Sequence, residues 1–109
     1  TIINKGDGTR VFTGSGIMSN NYTKATPTLT ADLFGDWRVE VVWRTPTSNE
    51  LRVYTTTAVT SRRLFTLMHD AQYRMQVTSE QTAYNQPPHP SFFLGNGMSL
   101  PPNPNVHVK

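Results

Sequence analysis

The chain contains no cysteine. That excludes a disulfide framework and a Cys-ligated zinc site, and it leaves the compartment undecided. Long hydrophobic runs are missing too: no apolar stretch approaches the roughly 20 residues needed to span a bilayer, so no membrane partner is expected. No signal-peptide pattern opens the chain, and it starts at Thr1 without an initiator Met, which reads as a processed, excised or fragmentary chain. Charge is scarce, at 16% of residues with a net +3. The ten basic residues are scattered, with Arg62-Arg63 the only adjacent pair, so no nucleic-acid footprint is present. A sustained helical period is also absent.

Thr, Asn, Ser, Gly and Pro make up the remainder. Thr suits the pleated surface of a sheet, while Gly, Pro and Asn punctuate it, so the mixture predicts short strands with many turns. A length of 109 residues allows one compact unit and not two. Four segments alternate or carry β-branched runs: V-E-V-V-W-R-T (39–45), L-R-V-Y-T-T (51–56), R-L-F-T-L-M-H (63–69) and Y-R-M-Q-V-T-S (73–79). Their spacing predicts an all-β chain built as an antiparallel four-stranded meander. Such a sheet alone has two open edges and one burial face, and is marginal. Radial repetition as a blade of a β-propeller removes the difficulty, but one blade is all this length supplies, so the chain reads as part of something larger. Beyond Gln86 the character changes. Six of the eight prolines fall between Pro87 and Pro104, predicting an extended, rigid tail.

Three stretches carry candidate chemistry. In A-D-L-F-G-D-W-R-V-E (31–40), Asp32, Asp36 and Glu40 fall at positions 1, 5 and 9 of a loop entering a strand, a pattern like the calcium loops of propeller blades. Phe34 replaces an expected Asp or Asn there, and Trp37 an expected Gly. The alternative is that Asp32 and Asp36 cap turns while Glu40 pairs with Arg38 or Arg52. In N-N-Y-T-K (20–24), Lys24 is either a solvated cation or a cleft lysine able to act as a base or hold an anionic substrate. In A-Y-N-Q-P-P-H-P (83–90), Tyr84 offers a stacking ring, Asn85 and Gln86 paired donors and acceptors, and His89 a general base; a satisfied core Tyr with a capped turn is equally compatible.

Taken in order, N-Y-T-K-A-T-P, A-D-L-F-G-D-W-R, L-R-V-Y-T-T-T, L-F-T-L-M-H-D-A-Q-Y-R and A-Y-N-Q-P-P-H-P-S-F-F-L-G resemble the C-terminal part of rhamnogalacturonan lyases of polysaccharide lyase family 11. The resemblance implies a secreted, calcium-binding, eight-bladed propeller that cleaves the rhamnogalacturonan I backbone of pectin by β-elimination. On that basis residues 1–30 are the end of a preceding blade and a cleft loop, 31–80 a blade, and 81–109 a cleft loop and closing tail. The rest of the propeller and the pectic polysaccharide are the implied partners. Carried over by motif, Lys24 is the base or carboxylate-neutralising cation. Asn21, Tyr22 and Thr23 lie on the substrate loop, with Tyr22 where the family usually has Gly. Ala83, Tyr84 and Asn85, with His89, fall on a second substrate-contacting stretch, and Asp32, Asp36 and Glu40 on the calcium loop. Val39 stands where the family commonly has Glu. The rival readings are a non-catalytic carbohydrate-binding module using Tyr84, Asn85 and Trp37 or Trp43 as a platform, and a bare structural blade.

Overall fold

β4 (Glu40–Arg44) and β5 (Leu51–Tyr54) form where β-branched and aromatic side chains run together, and they pair antiparallel with Val41 opposite Tyr54 and Trp43 opposite Arg52. The computed structural model describes residues 1–4, 6–82 and 85–108. The turn between these strands is closed by Thr45 N–H donating to the Glu50 carbonyl at 3.1 Å, while the Thr45 and Thr47 hydroxyls both donate to Asn49 Oδ1. On the other side of β4 lies β3 (Leu29–Ala31), giving a three-stranded sheet in the order β3-β4-β5. β1 (Ile2–Ile3) and β2 (Arg10–Phe12) form a separate antiparallel pair. Phe12 joins the two sheets, its ring 4.9 Å from that of Tyr54 and 6.2 Å from that of Trp43, which itself meets Tyr54 edge-on at 5.5 Å.

The two later segments expected as strands are not strands. Residues 67–69 form a 3₁₀ turn and Ala71–Ser79 an α-helix, α1. The cause is local capping. Thr66 Oγ1 accepts the Met68 N–H, and Asp70, in extended conformation, accepts the Tyr73 N–H at 2.9 Å as the helix N-cap. The alternation of Tyr73, Met75 and Val77 imitates a strand, yet Met75 is exposed while Tyr73, Val77 and Glu80 fall at i, i+4 and i+7 on the inward side.

The predicted four-stranded meander is therefore a three-stranded sheet with a helix beside β3. α1 blunts that edge without adding a strand. Asp32 N–H donates to the Tyr73 hydroxyl at 3.0 Å, and Thr30 N–H donates to Glu80 Oε2 at 3.2 Å, so alternate edge donors are met by side chains. The buried apolar side chains Ala31, Val42, Trp43, Leu67 and Tyr73 mark the junction of sheet, 3₁₀ turn and helix as the core. No helix is long and apolar enough to cross a membrane among the described residues.

Candidate functional site

Two polar loops flank β3, one before it and one after. The first begins where Met18 N–H donates to the Arg44 carbonyl at 2.9 Å, which fixes the loop at the end of the sheet. Asn20 N–H then donates to the Thr26 carbonyl and Thr26 N–H to the Lys24 carbonyl, both at 2.8 Å, so residues 20–26 fold back on themselves. Asn21 Nδ2 crosses the loop to Thr26 Oγ1 at 2.8 Å. Tyr22, Thr23 and Lys24 form its exposed tip. Tyr22 does not take the positive φ that would make glycine necessary there; Trp37, Ser48 and Asn85 are the non-glycine residues with positive φ among those described. A tyrosine is thus compatible with the turn at this position.

The base of this loop is held from far along the chain. Asn85 Oδ1 accepts Nδ2 hydrogen bonds from both Asn20 and Asn21, each at 3.2 Å, and Asn85 Nδ2 donates to the Thr28 carbonyl at 3.4 Å. Asn85 is only 3% exposed. Next to it the Pro-rich segment runs along α1: Gln72 Nε2 donates to the carbonyls of His89 and Pro90, each at 3.2 Å, and His89 N–H donates to Gln76 Oε1 at 2.8 Å. Ser91 is joined to the helix cap by its N–H and hydroxyl, both donated to Asp70. Desolvation, the largest single influence, pushes the Asp70 carboxyl up, but the bonds from Ser91 and the one from Tyr73 together outweigh it and hold the carboxyl below its ordinary range. The structure brings Asn21 and Asn85, both expected at the substrate, within hydrogen-bond distance of each other. His89 sits further along the tail, its backbone fastened to α1 and its side chain exposed. Ala83 and Tyr84 lie outside the described residues.

The second loop turns inward. Asp32 and Glu40 are buried, Asp36 is exposed, and one oxygen from each of the three lies within 4.8 Å of the others. Asp32 Oδ1 accepts the Asp36 N–H at 3.0 Å, and Oδ2 accepts the N–H groups of Trp37 and Leu67 at 3.1 and 2.9 Å and the Thr66 hydroxyl at 2.7 Å. Glu40 Oε2 takes the N–H groups of Leu33 and Phe34, at 2.9 and 3.1 Å, and its Oε1 the Thr55 hydroxyl at 3.0 Å. Asp36 Oδ1 accepts the Arg38 N–H. Asp32 and Asp36 do cap turns. Glu40, however, pairs with neither arginine: Arg38 reaches the Ala58 carbonyl and Thr56, and Arg52 reaches Glu50 at 3.7 Å and the Ser15 carbonyl. The position at which Gly was expected does need unusual backbone, since Trp37 has φ 67°; its N–H bond to Asp32 helps hold that conformation.

Whether this loop fits calcium is a matter of its donors. Three hard oxygens converge, half or less of the six to eight that calcium takes, so carbonyls or water would complete the shell. No Lys, Arg or His forms an ion pair with the three carboxylates among the described residues, which leaves their charge balanced only by N–H and O–H dipoles. The chemistry of the donor set fits.

Sequence reasoning missed Glu80 and Tyr73, the pair that seals β3. Glu80 is buried with Oε1 unpartnered, and desolvation pushes its carboxyl above the ordinary range, the Thr30 N–H opposing the shift. Their seven-residue spacing was the available signal. Trp43 is buried in the aromatic cluster and is unavailable as a sugar platform, which removes one form of the binding-module reading.

A family model described as rhamnogalacturonan lyase family 11, C-terminal domain, matches residues 3–104. The chain belongs to rhamnogalacturonan lyase family 11. Among curated proteins, this family 11 chain is 60% identical over 98 residues to the rhamnogalacturonan endolyase YesW of Bacillus subtilis (strain 168), covering 90% of the chain and 16% of that protein. It is 54% identical over 98 residues to the rhamnogalacturonan exolyase YesX of the same strain, with the same coverage. The crystal structure of YesW superposes with a TM-score of 0.84 at 60% identity, over 91% of this chain and 17% of that one. The chain therefore spans about one sixth of the length of the relatives it matches.

Proposed function

We propose that this chain is the C-terminal part of a secreted lyase that cleaves the rhamnogalacturonan I backbone of pectin, and that its contribution to the cleft is the Lys24 loop. The observation that carries this reading is the loop's form: a polar hairpin stapled at its base, presenting Tyr22, Thr23 and Lys24 outward, on a chain of this family. The reaction is β-elimination. A base takes the C5 proton of a galacturonate, the electron pair forms the C4–C5 double bond, and the C4–O4 bond breaks as the rhamnosyl oxygen leaves and is protonated. The difficulty is the low acidity of that C5–H beside a carboxylate. A lysine ammonium next to the carboxylate stabilises the charge that develops in the transition state; as the free amine, Lys24 would take the proton itself. Asn21, Tyr22 and Thr23 supply directional bonds and a ring for the sugars, with His89 further along the second stretch.

The architecture proposed is one blade of an eight-bladed propeller. Supporting it, Leu51 and Val53 on β5 and Phe34, Phe65 and Phe93 elsewhere are exposed, as apolar surface awaiting the remaining chain would be. Calcium is the proposed cofactor, with Asp32, Asp36 and Glu40 as its protein ligands. When bound it would supply positive charge to lock the second loop.

The test is amine footprinting on the complete lyase that carries this chain. Rhamnogalacturonan I oligosaccharides should protect Lys24 from acylation about tenfold, while lysines of the lyase remote from this loop react as before. Unchanged acylation at saturating oligosaccharide would place the loop outside the cleft.

A further inference from the structure

We propose that Asn85 is a positioning residue that holds the Lys24 loop in its working shape, and is not itself a contact to the sugar; this rests on the reading of Lys24 given above. Asn85 is joined to both sides of the loop at once. Its Oδ1 accepts from Asn20 and Asn21, which precede Lys24, and its Nδ2 donates to the Thr28 carbonyl, which follows it. Between those anchors the chain is already crossed by Asn20 N–H to the Thr26 carbonyl and Asn21 Nδ2 to Thr26 Oγ1. Lys24 thus sits at the tip of a hairpin whose two legs are tied by one side chain.

The residue type matches the task. Asn85 has φ 50°, a left-handed conformation that glycine adopts freely and asparagine tolerates better than most residues. An amide offers two acceptor lone pairs and two N–H groups. Both lone pairs are taken and one N–H is taken, which leaves a 3% exposed side chain a single donor at most for any ligand. An aspartate would keep both acceptors and lose the bond to the Thr28 carbonyl. A glycine would keep the backbone and lose every tie, so it separates the side chain's role from that of the turn.

The experiment uses the complete lyase carrying this chain, with Asn85→Gly, Asn85→Asp, Lys24→Ala and the Lys24→Ala/Asn85→Gly double variant. Asn85→Gly should lower kcat about a hundredfold, as expected when a reacting group is misplaced by an ångström, with KM changed less than about threefold. Tryptic cleavage after Lys24 should quicken about tenfold, because the loop opens more often. Asn85→Asp should restore most of the trypsin resistance and part of kcat. The double variant should be no slower than Lys24→Ala alone. A raised KM with kcat intact would make Asn85 a sugar contact, and a double variant slower by the full Asn85→Gly factor would make it act independently; either overturns the proposal. If Lys24→Ala keeps turnover, the reading of the loop as catalytic falls, and cleavage after Lys24 in Asn85→Gly still decides: acceleration upholds Asn85 as the loop's holder, and an unchanged rate overturns it.

Discussion

The two loops beside β3 are both polar, both short and both anchored to the same sheet, yet they face opposite ways. After β3, Asp32 and Glu40 point inward and gather seven N–H and O–H donors between them. Before β3, the amides of Asn20 and Asn21 tie down the base while Tyr22 and Lys24 stand in solvent. A buried carboxylate is tolerable only when its lone pairs are met, so the acidic loop satisfies itself and becomes structure. The neutral amides need fewer partners. They can hold a loop by its base without drawing its tip inward, and Tyr22, Thr23 and Lys24 at that tip are exposed.

The comparison breaks most readily at Asp32. Replacing it with Ala leaves three backbone N–H groups and a hydroxyl without their acceptor, two of them beside the core. Unfolding by denaturant should show a loss of about 3–4 kcal/mol, whereas Tyr22→Gly on the outward loop should stay within about 0.5 kcal/mol. Equal losses would dissolve the distinction between the loops. Removing calcium comes next. At a concentration 100-fold above its dissociation constant the ion would contribute about 2.7 kcal/mol, so a chelator should lower the melting temperature of the wild type and leave an Asp36→Asn variant unmoved. Tyr73→Phe deletes the acceptor for the Asp32 N–H and should cost about 1 kcal/mol, with no change in turnover.

Glu80 gives the smallest and most particular effect. Its carboxyl is raised in the folded protein by desolvation, so the folded state holds the proton more tightly than the unfolded chain. Its contribution is therefore most favourable below the ordinary glutamate range and declines as pH rises through the folded value. Glu80→Gln should remove that decline, so that thermal melts of the variant gain on the wild type between mildly acidic and neutral pH. A constant difference between the two across that span would show that Glu80 does not titrate as its burial requires.

β4 and β5 were legible because E-V-V-W-R and L-R-V-Y combine β-branched and aromatic residues with alternation. β3 was not, since L-T-A is too short to show a period. α1 was misread because Met75 lies exposed between Tyr73 and Val77; the cap at Asp70, three residues before Tyr73, outweighed that alternation. At the site, the acidic loop was readable from its spacing alone, all three carboxylates lying within nine residues. The Asn85 staple was not. Its partners are 57 to 65 residues away, and no local pattern announces a bond that tertiary packing creates.

Lys24 carries the proposed chemistry. In the complete lyase, Lys24→Ala should reduce formation of the unsaturated uronate product about a thousandfold while oligosaccharide affinity stays within about tenfold, roughly 1.4 kcal/mol. Turnover that survives the substitution, with affinity lost instead, would contradict it and leave the loop a binding element only.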